Sequence, residues 1–119
     1  MSYLVSRDFA CDRLRLGLRQ SYRILPPDCG ALISTDEILG LLNSSRRPYA
    51  EPLLHIPDDI VTADELAATP ELANAGLTAK RVLTWTRREK KVPPHFRINP
   101  HTIRFSRKRF IDWLQGGCK

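Results

Sequence analysis

Along the chain, apolar residues return at three- and four-residue spacing in short stretches, and several of these stretches open on a serine or threonine. Ser6 precedes Arg7 to Leu14, where Phe9, Ala10 and Leu14 share a face, so a capped first helix is expected there. Leu16-Gly17-Leu18 predicts a tight turn. A second short helix is expected over Arg19 to Leu25, with Tyr22 and Leu25 inward. Pro26-Pro27 stops it, because neither proline donates an amide and the first restricts its predecessor. After a turn at Asp28-Cys29-Gly30, Ala31-Leu32-Ile33 reads as a short strand. Ser34 or Thr35 then caps a helix to Asn43 with an Ile38, Leu41, Leu42 stripe.

The period breaks at residues 44–60, which hold Pro48, Pro52 and Pro57 and read as a linker; Leu53, Leu54 and Ile56 suit a segment lying against a domain. Thr62 and Glu65 have capping-box spacing, in which each side chain satisfies the other's free amide, so a helix over Ala63 to Ala68 is expected. Thr69-Pro70 interrupts it and opens a further turn over Glu71 to Asn74. Asn74-Ala75-Gly76 is a turn, and Thr78 caps a basic helix over Ala79 to Glu89 with Val82 and Trp85 on its core face. Val92-Pro93-Pro94 ends that helix. Phe96 to Ile98 and Thr102 to Phe105 alternate as a hairpin across Asn99-Pro100-His101, with Phe96, Ile98, Ile103 and Phe105 inward and Arg97, Thr102 and Arg104 outward. Ser106 caps a last helix, Arg107 to Gln115, with Phe110, Trp113 and Leu114 inward. Gly116-Gly117 stops it, and Cys118-Lys119 reads as a frayed tail.

The halves match each other. Ala31 to Asn43 aligns without gaps on Ile103 to Gln115, Arg23 to Pro27 on Lys90 to Pro94, and Val5 to Asp8 on Val61 to Asp64. Apolar meets apolar at the helix positions and serine cap meets serine cap, which predicts two tandem units of one fold. The expected division is a first unit over residues 1–43, the linker at 44–60 and a second unit over 61–119.

Charge separates the units. Residues 1–60 hold seven Lys/Arg and eight Asp/Glu, a net of −1, whereas residues 61–119 hold twelve and five, a net of +7. A polyanion site in the second half is the reading this favours, with a solvated basic face as the plain alternative. The basic helix has few acidic neighbours to pair with, and the segment after it is basic too, which moves the reading toward a site. Cys11, Cys29 and Cys118 are an odd, scattered set that argues for a reducing cytoplasm rather than a disulfide framework. His55, His95 and His101 have no zinc-ligand spacing to them, so no metal is expected. No apolar run approaches membrane-spanning length and no secretory leader is seen, so no membrane partner is expected. The absence of a Gly-rich phosphate loop and of a Gly-x-Ser-x-Gly elbow argues against an enzyme, and no cofactor is expected. Trp85, Trp113, Phe110 and Phe105 sit at inward spacings that suit a core better than a base-stacking platform.

Val61-Thr62-Ala63-Asp64-Glu65-Leu66-Ala67, Val82-Leu83-Thr84-Trp85, Val92 to Arg97 and Ile103-Arg104-Phe105 with Phe110 to Leu114 together resemble the MerR-type winged helix-turn-helix of phage excisionases and AlpA-like regulators. Residues 4–43 resemble it only weakly, with a degenerate wing. The resemblance implies a mainly α fold with a short β-hairpin wing, in two tandem winged helix-turn-helix units, acting on double-stranded DNA in the bacterial or phage cytoplasm, at the nucleoid. It implies recognition-helix roles for Lys80, Arg81, Thr84, Arg87 and Arg88, and wing roles for Arg97, His101, Thr102 and Arg104. Arginine forks onto guanine edges while lysine and threonine mostly fix phosphates. Thr78, at the helix start, is expected to direct amides to a phosphate. In the first unit, Asp36 and Glu37 stand where the second has Lys108 and Arg109. That unit is left with Arg19, Gln20 and Arg23 for a groove, or with a role in docking protein.

Three roles follow from this reading. One is an excision or recombination directionality factor of a mobile element, partnered by a recombinase or a second copy of itself. Another is a small transcription regulator of the same fold. The third is a protein-interaction adaptor with residual DNA binding.

Overall fold

A computed structural model describes residues 3–25, 32–48 and 51–116. The expected Pro26-Pro27 stop, the Asp28-Cys29-Gly30 turn and the Cys118-Lys119 tail lie outside those residues.

Each serine or threonine cap starts a helix where the pattern placed it. Ser6 Oγ accepts from the Phe9 amide and opens α1 (Arg7–Leu14). Ser34 Oγ accepts from the Asp36 amide and opens α3 (Thr35–Ser45), which follows α2 (Leu18–Ile24) in the chain. Thr62 and Glu65 form the reciprocal capping box at the head of α4 (Ala63–Ala67). Pro70 opens α5 (Pro70–Asn74). Thr78 caps α6 (Ala79–Trp85), and Ser106 caps α7 (Arg107–Gln115). Asp59 adds a second cap to α7, accepting from the Lys108 amide at 2.8 Å and from Ser106 Oγ at 3.0 Å. A carboxylate at that end also suits the positive pole of the helix.

The fold is mixed α/β, which corrects the mainly α expectation. Six strands are present among the described residues. Four of them, β1 (Leu4–Ser6), β2 (Leu32–Ser34), β3 (Arg46–Arg47) and β4 (Ile60–Val61), span only two or three residues, too few for alternation to show in the sequence. β1 pairs antiparallel with β2 (Leu32–Ser34). The other sheet has the order β3-β5-β6-β4, where β5 (His95–Asn99) and β6 (Thr102–Ser106) are the expected hairpin.

The internal match reappears as strand register. Val5 lies opposite Ile33, and Val61 lies opposite Phe105; Leu4 faces Ser34, and Ile60 faces Ser106. The sequence alignment sets Val5 on Val61, Ile33 on Phe105 and Ser34 on Ser106, so aligned residues hold equivalent places in the two ladders. Each half runs strand, helix, helix, strand, helix, with α5 and β5 additional in the second. The match fails before the double prolines: α2 ends at Ile24, just before Pro26, whereas α6 ends at Trp85, well ahead of Pro93.

The segment read as a linker is built into the structure. β3 and β4 both belong to the four-stranded sheet. Leu53 is buried with Val5, Leu14, Ile33, Ile38 and Leu42 in a first core, and its backbone is held by both polar atoms of the Asn43 side chain. Leu54, by contrast, is 78% exposed. A second core gathers Val61, Leu66, Leu72, Val82, Ile103, Phe105 and Phe110. Phe105 and Phe110 meet edge to face at 5.7 Å inside this core, while Trp85 and Trp113, 6.1 Å apart, are partly buried and pack against it.

The β5–β6 hairpin is the wall between these cores. Phe96 points into the first, while Ile103 and Phe105 point into the second. Alternation therefore sends one face of the hairpin to each half of the molecule. That is why Thr102 is buried rather than outward, and why Arg104 is half-buried. Tyr22, expected inward, is 65% exposed; Ser21 takes the buried position in α2, where its hydroxyl bonds the Leu18 carbonyl.

Candidate nucleic-acid interface

The basic helix α6 is shorter than expected. It stops at Trp85 because Thr86 turns its hydroxyl onto the Leu83 carbonyl at 2.6 Å, and the chain then turns through Thr86 to Lys91, where Lys91 has φ +55°. Arg87 and Arg88 therefore follow the helix instead of lying on it. Val82 is fully buried on one side of α6, and Lys80, Arg81 and Thr84 are exposed on the other. Thr84 bonds back to the Lys80 carbonyl. Thr78 Oγ1 is occupied by the Arg81 amide, so its observed task is to cap its own helix.

From Lys80 to Lys91 the chain carries six Lys/Arg and one Glu. Lys80, Arg81, Arg87, Lys90 and Lys91 are all exposed and form no ion pair among the described residues. Arg88 is different, because its guanidinium stacks 4.9 Å from the Trp85 ring. An unpaired guanidinium or ammonium on a rigid helix keeps its full donor set for an incoming anion.

The expected wing divides. Arg97 is half-buried, and its Nη2 donates to the Thr86 carbonyl, tying β5 to the end of α6. His101 is exposed at the hairpin tip, where its amide bonds the Asn99 side chain. Thr102 and Arg104 do not face solvent with them. Arg104 reaches into the other half, with Nε 3.1 Å from the Leu14 carbonyl and Nη2 2.7 Å from that of Arg15. Those carbonyls end α1, where the helix is short of donors and its negative pole favours a cation. Burial pulls the Arg104 guanidinium below its ordinary pKa, against the nearby Glu65 carboxylate, which raises it. Glu65 also pairs with Arg15 at 3.4 Å. Arg104 thus serves as a contact between halves, and the sequence offers no sign of it because its acceptors are backbone atoms 90 and 89 residues away; Thr102 is simply buried.

In the first half, Arg19 and Arg23 are exposed on α2, while Gln20 is turned back to accept from the Gly17 amide. Leu18 and Tyr22 are exposed on the same helix.

His95 was missed as a special position. It is buried between Phe105 and the chain, with Nδ1 2.8 Å from the Pro93 carbonyl, so Nδ1 carries the proton. Burial lowers its pKa, and the Arg97 and Arg47 charges lower it further, while the Pro93 bond opposes them. An open groove of about 720 Å³ runs between α1, the segment 51–59 and the start of α7. Its charges are mixed, with Arg13, Lys108 and Arg109 facing Asp36, Glu51 and Asp58. No cluster of His, Cys, Asp and Glu with metal-holding geometry occurs among the described residues. No helix among the described residues is long and apolar enough to cross a membrane. Compared with protein-family models, with curated proteins and with solved structures, the chain finds no match.

Proposed function

We propose that this protein binds double-stranded DNA with sequence preference, using α6 as the helix that enters the major groove. The observation that carries the reading is the exposed, unpaired row Lys80, Arg81 and Arg87 on and beside a helix whose other face is buried through Val82. The major groove admits a helix and distinguishes all four base pairs, and arginine is the side chain best shaped to read guanine there. The strand-helix-helix-strand-helix order of each half suits the tandem winged helix-turn-helix reading taken from the sequence. In this reading Arg97 and His101 are what remains of a DNA-facing wing. The biological role that suits such a reader is an excision or recombination directionality factor, or a small transcription regulator.

The test is binding to a fluorescent duplex cut from the DNA flanking the protein's own gene, with salt titration and unrelated competitor. Tight binding that survives competitor, with a footprint of repeated sites, is expected. A footprint at an attachment site favours the excision role and one at a promoter favours the regulator. Weak binding lost equally to any competitor overturns specific reading.

A second reading concerns α2 alone. Leu18 and Tyr22 stand exposed on the helix that carries Arg19 and Arg23, an apolar pair of a kind that protein contacts use more than phosphate contacts do. In that reading the first half docks a protein while the second holds DNA.

A further inference from the structure

Residues 46 and 47 read as linker, yet they form the open edge of the four-stranded sheet. Arg47 lies opposite His95 in the β3–β5 ladder, so the two side chains leave the sheet on the same face. Arg97 is two residues beyond His95 on β5 and shares that face. Both arginines carry a charge that disfavours a second proton on His95. Arg97 in turn holds the Thr86 carbonyl at the end of α6, and Arg87 is the next residue of the chain. A row of cations therefore runs from α6 through Arg87 and Arg97 to the sheet edge at Arg47.

Arg47 is exposed and incompletely used. Its Nη1 donates to the Ser44 and Arg46 carbonyls, at 3.1 and 2.7 Å. Nε and Nη2 keep three N–H donors on the side of the fork away from those bonds. No carboxylate pairs with it among the described residues. A guanidinium pinned by one nitrogen, with its other donors free, is pre-oriented for a phosphate oxygen.

We propose that Arg47 is a phosphate-binding residue that takes the DNA backbone beside the segment read by α6. This rests on the DNA-binding reading above and extends it to a strand outside the second half. The sheet edge performs the positioning task that the buried hairpin residues Thr102 and Arg104 cannot perform.

The experiment compares the full chain with Arg47→Gln and Arg47→Lys on two fluorescent duplexes, one from the DNA flanking the gene and one of unrelated sequence. Arg47→Gln is expected to weaken both equally and to flatten the salt dependence by about one counterion, so that the wild-type advantage shrinks about threefold between ~50 and ~200 mM salt. Arg47→Lys is expected to keep the wild-type salt slope. Thermal unfolding stays unchanged, since the side chain bonds only within its own turn. A wild type that binds, beside an Arg47→Gln variant with the same affinity and slope, overturns the proposal. Loss on one duplex alone also overturns it, because that is the behaviour of a base reader. A wild type that binds neither duplex overturns the underlying DNA-binding reading, a result distinct from both.

Discussion

Arg104 Nη2 lies 2.7 Å from the carbonyl oxygen of Arg15, across 89 residues of chain. With Nε on the Leu14 carbonyl, one guanidinium ends α1 and fastens the hairpin of the second half to the first. Replacing Arg104 with Met keeps much of the buried stem and removes the donors. Charge-assisted bonds of this kind each contribute about 2 kcal/mol, so the midpoint of urea unfolding is expected to fall by a matching amount. Amide exchange should rise first at Leu16, whose amide closes the end of α1 on the Cys11 carbonyl.

Phe96 tests whether the halves unfold together. It is encoded in the second half and fully buried in the first core. Phe96→Ala is expected to cost about 3–5 kcal/mol and to expose amides of α3 as well as of the hairpin. Calorimetry of the wild type should give one transition. Two well-separated transitions would show the cores to be independent.

His95 makes stability depend on pH with a definite sign. The unfolded chain protonates this ring near pH 6.5, whereas burial and the neighbouring arginines hold the folded form neutral to lower pH. Nε2 is buried without a partner among the described residues, so a second proton would be a buried, unpaired charge. Between the two pKa values the unfolded state binds more protons. The stability is thus complete above pH 6.5 and declines as pH falls through the interval down to the folded pKa. His95→Gln should flatten the part of the curve below pH 6.5, relative to wild type, in parallel denaturant titrations.

Arg81 separates reading from folding. Arg81→Ala leaves the core and the Thr78 cap untouched, so the thermal midpoint should hold. Binding to the specific duplex should weaken by about tenfold or more, with much less effect on unrelated DNA. Equal losses on both would recast Arg81 as a phosphate contact.

Caps and helix stripes were legible because they are local. Ser6, Ser34, Thr62, Thr78 and Ser106 each accept from an amide two or three residues on, which is a relation between near neighbours. The internal match aligns Val5 with Val61 and Ile33 with Phe105 without implying a strand at Val5 or Val61; the structure pairs Val5 with Ile33 and Val61 with Phe105. What alternation concealed was the number of buried faces. Thr102 and Arg104 look outward in a hairpin with one dry side, but this hairpin has two. Ile60 and Arg46 were hidden as strands for a different reason, since a two-residue strand exists only through its neighbour in the sheet. The end of α6 was misjudged because a Thr86 hydroxyl that bonds backward competes with helix continuation, and composition alone does not say which wins.

The sheet that joins the halves ends on either side in a strand only two residues long. An exposed strand edge normally invites another chain to add itself, and the invitation grows with the length of free backbone. Here a visiting strand would find room for scarcely one pair of bonds, and on one side it would arrive at two adjacent arginines that repel their counterparts in an identical copy. Copies of this chain brought together at high concentration should therefore meet without their sheets fusing, and stay separable molecules.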